Sequence, residues 1–193
     1  MGKKEDRKHG EEGANNASSQ SVSDNQLREC LDLGKNHFLS SRWLEAQLLF
    51  EQAIVIAPKA AEPHAWLAAT YGRLIEGKSM MEKIELLPRF ESEVQAALEY
   101  GPKLPLARRV NGGRLLNTPD SLGGNVREAL DEFLFCIKHG VDDADIWMSL
   151  GECYAKLGNA PKAVKALLTC IERDPQHVNA IQLLQRLESE SNS

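Results

Sequence analysis

Five histidines and four cysteines are the side chains of this chain best suited to nucleophilic, acid–base or metal chemistry, and their spacing favours none of these. The cysteines form no C-x-x-C pair and no histidines cluster beside them, so the sequence predicts neither a zinc site nor a disulfide framework. The position of each histidine, in a helix or in the N-terminal tail, is better explained by packing or solvent exposure than by catalysis. We therefore expect a protein that is not an enzyme, with no catalytic residue, no metal and no cofactor.

Gly123-Gly124 is the one glycine pair that invites comparison with a phosphate-binding loop. Such a loop follows a strand and is continued by Lys and Ser or Thr, and neither condition is met here. Pro119 lies just before the pair, and this composition is typical of a break between two helices. The sequence therefore predicts a turn at this loop.

Charge and hydropathy limit the partners that this chain can have. The formal net charge is −5 and the basic residues are scattered, which argues against nucleic acid as a partner. No apolar run is long enough for a membrane span and no signal-peptide core follows Met1, so we expect a cytoplasmic protein. Met1-Gly2 would suit N-myristoylation, but Asp6 stands where that motif has Ser or Thr, and lipidation of Gly2 is left open.

A pattern of small and bulky residues recurs with a period of about 34 residues. In the clearest copy, near the C-terminus, it reads Trp147, Leu150, Gly151, Tyr154, Ala163 and Pro175. An earlier copy has Leu33, Gly34, Ala46, Phe50, Ala53 and Pro58 at the same offsets, with Cys30 and His37 in place of the Trp and Tyr. Small residues that face bulky ones let two helices approach closely, so the pattern predicts helical hairpins packed side by side.

These offsets resemble the signature of the tetratricopeptide (TPR) family. The resemblance implies an all-α, right-handed TPR solenoid of about four helical hairpins, two of them irregular, with a C-terminal capping helix. The long second repeat, the Pro-x-x-x-Gly-Gly-Asn loop and Glu128-Ala129-Leu130 are similar to a narrower branch of the family. That branch includes bacterial TPR proteins associated with TRAP-type transporters, and the regulator-of-microtubule-dynamics proteins look alike in outline.

The repeat pattern divides the chain into segments. Residues 1–23 are polar and have almost nothing to bury, so we expect a disordered leader there. A repeat domain at 24–189 and a short tail at 190–193 follow. Within the domain we expect repeats at 27–60, 61–104, 105–143 and 144–177 and a cap at 178–189. In the second repeat the apolar periodicity continues beyond Tyr71, so we expect its first helix to extend by roughly three turns, up to Pro88.

The resemblance also implies a binding surface, because TPR arrays line an inner groove with fixed positions of the first helix of each hairpin. The implied partner is a protein or an extended peptide, possibly with acidic groups, and the implied role is a non-catalytic scaffold or adaptor. Ala and Gly positions would admit the chain of the ligand, and basic side chains would pair with its carboxylates. The candidate residues are Lys35, Phe38, Ala65, Ala69, Arg73, Arg109, Asn117, Glu152 and Lys156.

Two alternatives from other classes stay open. One is a small-molecule carrier with a pocket under the extended helix, around Trp66, Tyr71, Met80 and Met81. The other is a structural self-assembly module, possibly a homodimer, which an exposed apolar patch on the projecting helix would favour.

Overall fold

The computed structural model describes residues 8–191, with the side chains of residues 21–79 and 81–190. Every regular element in that range is helical. The α-helices are α1 (Lys8–Leu39), α2 (Trp43–Ile56), α3 (Ala61–Ile75), α4 (Met80–Tyr100), α5 (Pro105–Asn117), α6 (Val126–Lys138), α7 (Ala144–Lys156), α8 (Ala160–Arg173) and α9 (Val178–Ser191), and a short 3-10 turn covers Asp120–Leu122. The chain divides into two compact units, unit 1 up to Ala96 and unit 2 from Ala97.

The core of unit 1 forms where α1 and α3 pack against α2. Ala46, Phe50 and Ala53 project from one face of α2 and are completely buried. Phe50 lies against the bare backbone of Gly34 in α1, and a Cβ atom added at Gly34 would come within 2.5 Å of the ring. The small-against-bulky packing predicted from the repeat pattern is therefore present in the first hairpin.

Unit 2 repeats this packing twice. A Cβ atom at Gly112 of α5 would lie 2.8 Å from the ring of Phe133 in α6, and one at Gly151 of α7 would lie 2.7 Å from Leu167 in α8. Phe133 and Leu167 are both buried. α9 packs against α8 and α7 and covers Leu167, since Ala180, Leu183 and Leu187 lie in the same apolar cluster. Each hairpin in unit 2 is thus closed by one glycine that faces one bulky side chain.

Side-chain caps fix where several helices begin. Asn125 accepts hydrogen bonds from the backbone N–H groups of Arg127 and Glu128 at the start of α6. Asp143 caps α7 through the N–H of Ile146, and Asn159 caps α8 through the N–H of Lys162. Each cap satisfies a donor that the first turn of a helix would otherwise leave without a partner.

The start of α1 differs from the prediction. The helix begins at Lys8, so the expected disordered leader at 1–23 is wrong for residues 8–23, whose backbone is helical, while residues 1–7 lie outside the described part. No proline interrupts this stretch, and once the downstream turns are held by packing, each added residue gains a helical hydrogen bond without a new nucleation cost.

The second hairpin also differs, because its long helix is the second one and not the first. α3 ends at Ile75, and Gly77 adopts a left-handed φ of 74°. Ser79 then opens α4: its N–H donates to the carboxylate of Glu82, and its hydroxyl accepts from the N–H of Glu82. This capping box starts a new helix in which Pro88 is an internal residue.

Candidate functional site

Two aromatic rings and one ion pair form a half-exposed patch on unit 1, which we call the Trp66 patch and define by Lys35, Phe38, Glu62 and Trp66. Nζ of Lys35 lies 2.7 Å from Oε1 of Glu62 and 6.0 Å from the centre of the Trp66 ring. The Phe38 ring meets Trp66 edge-on, with ring centres 5.4 Å apart. The patch therefore combines aromatic surface with one positive and one negative group.

Helical spacing and the core beneath explain why these four side chains meet. Lys35 and Phe38 are three residues apart on α1, and Glu62 and Trp66 are four apart on α3, so each pair shares a helix face. Trp66 also stacks on the buried Phe50, with ring centres 5.9 Å apart and planes at 15°. The indole is therefore held in place by the core of unit 1 while part of it stays accessible.

The ion pair of the patch is open to exchange. The side chains of Lys35 and Glu62 are 31% and 44% exposed. Exposed pairs of this kind contribute about 0–1 kcal/mol, because water screens the attraction and both side chains lose freedom. Separating Lys35 from Glu62 would therefore cost little.

The other predicted residues of unit 1 are less suited to direct contact. Arg73 pairs with Glu76 one turn away, at 3.1 Å, at the end of α3. Ala69 is half-buried, but Ala65 is completely buried and offers no surface to a ligand. The prediction that Ala65 is part of an open floor is wrong, because its side chain belongs to the core.

In unit 2, Arg109 is held by two carboxylates. Its guanidinium lies 2.6 Å from Oδ2 of Asp143 and 3.3 Å from Oδ2 of Asp145, and it thereby ties α5 to the start of α7. Nε2 of His177 lies 3.3 Å from the other oxygen of Asp145. Releasing this arginine for a ligand would break two contacts at once, so its geometry is that of a structural link.

Lys156 is the cation of unit 2 with the more open surroundings. It donates to the backbone oxygen of Leu116 at 3.1 Å and lies 3.3 Å from Glu152 one turn earlier. Asn117 donates to the oxygen of Gly113 in the last turn of α5. Lys156, Glu152 and Asn117 are therefore all engaged near the end of α5, and each of the four predicted cations has a carboxylate partner within the described residues.

Sequence reasoning did not predict the contacts that Trp66, Glu62 and His64 make. Trp66 and Glu62 lie at the centre of the patch. His64 is buried, with Nδ1 2.5 Å from Oε2 of Glu93 in α4 and Nε2 2.9 Å from the oxygen of Pro58. The available sequence signal for the patch was that Trp, Glu and Lys recur at helical spacing on neighbouring helices. No sequence signal indicated the contacts of His64.

Three cysteines are buried and have low nucleophilic reactivity. Burial raises the pKa of Cys136 to about 11, that of Cys153 to about 12 and that of Cys170 to about 11. At neutral pH these thiols stay protonated, and a thiol is a much weaker nucleophile than a thiolate. They fill space between helices.

Unit 1 has a cavity that lies apart from the surface predicted for a small molecule. A cavity of about 390 Å³ opens between α1 and α2, away from Trp66 and Tyr71, and is lined by Gln26, Glu29, Cys30, Gln52, Val55 and Ile56. In α4 the exposed residues Met81, Ile84 and Leu87 lie one turn apart. Since Gly72 of α3 faces Phe90, and α3 ends three residues later, roughly 10 Å of α4 projects past α3.

Within the described residues no helix combines the length and the hydrophobicity that crossing a bilayer requires. Residues 144–177, which cover α7, α8 and the connection to α9, match the tetratricopeptide repeat model.

Among curated proteins, regulator of microtubule dynamics protein 2 of Bos taurus is 28% identical over 151 residues. The match covers 65% of this chain and 36% of that protein, so this chain spans about a third of the length of its relative.

Solved structures share the fold at low identity. The structure of PilF from Pseudomonas aeruginosa matches with a TM-score of 0.66 and 14% identity, over 89% of this chain and 71% of that one. MamA from Desulfovibrio magneticus RS-1 matches with a TM-score of 0.60 and 14% identity, over 86% of each chain. The repeat match, the paired helices and these structures agree with one another, and both the predicted resemblance to tetratricopeptide repeat proteins and the predicted all-α TPR fold are confirmed.

Proposed function

We propose that this chain is a non-catalytic protein-binding scaffold that takes an extended peptide at the Trp66 patch. The observation that carries the proposal is the half-exposed Trp66 and Phe38 rings beside an exchangeable Lys35–Glu62 pair. Binding hot spots are enriched in Trp, Tyr and Arg that sit in well-packed surroundings, and Trp66 has such support from Phe50. The fold favours this role in general, since TPR proteins are typically interaction scaffolds.

The chemistry of the patch suggests which peptide would bind. An apolar side chain would cover the rings, and an adjacent Asp, Glu or terminal carboxylate would accept hydrogen bonds from Lys35. Glu62 would be released to water or to a backbone N–H of the peptide. Once the bound peptide shields Lys35 from water, the new charge-assisted hydrogen bond contributes about 1.5–3 kcal/mol, against about 0–1 kcal/mol for the solvent-exposed pair that it replaces.

As a separate contact site of unit 2, we propose Lys156, with Glu152 and Asn117 beside it. Lys156 is the candidate in unit 2 to bind a ligand carboxylate. Its ion pair is with Glu152 one turn earlier on the same helix, and such a pair costs little to break. Arg109 is a weaker candidate, since two aspartates already hold it. Arg73 and Ala69 would lie beside the peptide in unit 1. There the ion pair that Arg73 would have to break is the exposed one with Glu76, one turn away.

The test uses peptides selected on the whole chain from a random 12-residue display library, with affinities measured by fluorescence anisotropy. Lys35→Glu should weaken binding by at least about tenfold, which corresponds to about 1.4 kcal/mol. Lys103→Glu, an exposed lysine in the connection before α5, is the matched control and should bind like the wild type. Equal affinities for wild type and Lys35→Glu would refute the site.

A charge swap separates binding from stability. Lys35→Glu/Glu62→Lys restores the ion pair in reverse, so its thermal unfolding should match that of the wild type. Acidic peptides should still bind less well to the swapped protein, because the cation then lies on α3 and not on α1. If the swap restores affinity together with stability, the patch is structural and the peptide binds elsewhere.

Self-association is a second candidate function, favoured by the projecting part of α4. Met81 is 77% exposed, and Ile84 and Leu87 continue the same stripe. A second copy could cover this stripe by packing two such helices together. Multi-angle light scattering at rising concentration tests the idea: a dimer that Ile84→Glu turns into a monomer supports it, and a wild-type monomer at all concentrations removes it.

A further inference from the structure

The outer face of α2 carries an apolar stripe that the hairpins of unit 2 lack. Leu44, Leu48 and Val55 are 65%, 59% and 82% exposed, and they lie opposite the buried face of Ala46 and Phe50. Spacings of four and seven residues place the three on one side of the helix. The stripe spans eleven residue steps, or roughly 16 Å of helix.

The repeat offsets permit a direct comparison with the other hairpins. The positions equivalent to the stripe in α8 hold Pro161, Lys165 and Glu172. Those in α6 hold Arg127, Asp131 and Lys138. All six are exposed, so water is the ordinary environment of these positions. Three apolar residues at the same positions in α2 are therefore a property of this hairpin and not a requirement of the repeat.

The stripe leads into the cavity between α1 and α2. Val55 belongs to both, and Gln52, one turn after Leu48, lines the cavity beside Cys30. Sγ of Cys30 lies 3.9 Å from Oε1 of Gln52. Glu29 contributes a carboxylate to the cavity wall. A partner lying along the stripe can thus lower one side chain into the cavity and set a basic group beside Glu29.

The size of this surface decides between possible occupants. Three stripe residues and six cavity residues, with Val55 in both, make eight side chains. A stable dimer interface needs about 20–30 residues on each side, so the surface is too small for a second copy. Residues 1–7 contain Met1 as their one apolar side chain, too few to match the three apolar residues of the stripe. A single helix of about three turns fits, since helices in grooves bind through a few anchors at i, i+3, i+4 and i+7.

We propose that the outer face of α2 docks an amphipathic helix of a partner protein, with one large apolar side chain in the α1–α2 cavity and a Lys or Arg beside Glu29. This site is separate from the Trp66 patch, because Trp66 stacks on Phe50, which lies on the buried face of α2. The two sites would let unit 1 hold an extended peptide and a helix at the same time.

The probe is a synthetic 18-residue amphipathic helix with a leucine stripe, one tryptophan in that stripe and lysines on its polar face. A peptide of the same composition in scrambled order controls for charge attraction. Anisotropy should detect binding of the first peptide, and Leu48→Glu/Val55→Glu should weaken it by at least about tenfold. Leu168→Glu, at an exposed leucine of α8, is the matched control and should bind normally.

Alkylation of Cys30 reports the position of the probe, because Cys30 lines the cavity while the other three cysteines are buried. Bound peptide should slow the reaction of Cys30 in the wild type and not in the double variant. Circular dichroism confirms that both variants are folded, and Leu48→Gln/Val55→Gln replaces the glutamates if they unfold the hairpin. The proposal is overturned by equal binding of the scrambled peptide, by unchanged affinity in the double variant, by the absence of binding, or by a wild-type dimer that the double variant dissolves.

Discussion

Two adjacent glycines in α5 give a direct test of how the hairpins close. A Cβ atom at Gly112 would lie 2.8 and 2.9 Å from two ring atoms of Phe133 and 3.2 Å from Cβ of Glu132. At Gly113 the same atom would have nothing within 4 Å. Phe133 is buried, so its ring cannot swing into solvent to make room. Alanine at position 112 therefore overpacks the core, whereas alanine at position 113 meets open space.

The magnitude follows from two opposing terms. Alanine in place of glycine stabilises a helix interior by about 0.8–1 kcal/mol, and this gain is common to both positions. Overpacking a dense core costs about 1–3 kcal/mol, and this cost falls on Gly112 alone. We expect Gly113→Ala to raise the free energy of unfolding by up to about 1 kcal/mol. We expect Gly112→Ala to lie about 1–3 kcal/mol below it.

Urea unfolding followed by circular dichroism measures both variants against the wild type. Because the common helix term cancels, the difference between the two midpoints isolates the contact between α5 and α6. If Gly112→Ala is as stable as Gly113→Ala, glycine is not needed for close approach and the reasoning on hairpin packing is wrong.

Three further predictions concern single groups. Glu132→Ala should lower the free energy of unfolding by about 2–4 kcal/mol in urea melts, because the carboxylate accepts two hydrogen bonds from Arg108 and one from the buried Asn111, whose amide loses this acceptor. A loss below about 0.5 kcal/mol, the value for a surface change, contradicts this. Native protein at neutral pH should react with a maleimide first at Cys30, because burial raises the pKa of the other three thiols to about 11–12. Peptide mapping of samples taken over time identifies the labelled cysteine, and early labelling of any buried thiol would contradict the prediction. Hydrogen bonds from Lys78, and then Ser79, lower the pKa of Glu82 to about 2, so the capping box of α4 should persist above the ordinary pKa of 4.5 and be lost as pH falls towards 2; an NMR titration of Glu82 with a midpoint at its ordinary value would refute this.

The hairpin packing could be predicted from the sequence because it depends on local offsets. The repeat fixes the positions of Gly34, Gly151 and Phe50. The size of the residue at each position therefore indicates which two helix faces can pack closely. The division of the second hairpin could not be predicted from apolar periodicity, because that pattern continues across Gly77. The box from Ser79 to Glu82 was the available signal, and a local start signal outweighs periodicity at a helix boundary.

The candidate site was less predictable, since it depends on distances between helices. The repeat offsets indicated Lys35 and Phe38, but the partner Glu62 lies on another helix, and a sequence does not state which carboxylate a lysine reaches. Ala65 is a small residue whose type fits a groove floor and a core equally well. Burial decided between the two.

The indole signals of the three tryptophans provide the most direct measurement of the proposed function. In a ¹H–¹⁵N spectrum each indole N–H gives one peak, and Trp66→Phe and Trp147→Phe assign two of them. The Nε1–H of Trp147 donates to Asp142 and reports changes in unit 2. Titration with a selected peptide should shift the Trp66 peak and leave the Trp147 peak in place. A titration that saturates binding while the Trp66 peak stays fixed would contradict the assignment of the Trp66 patch as the binding site.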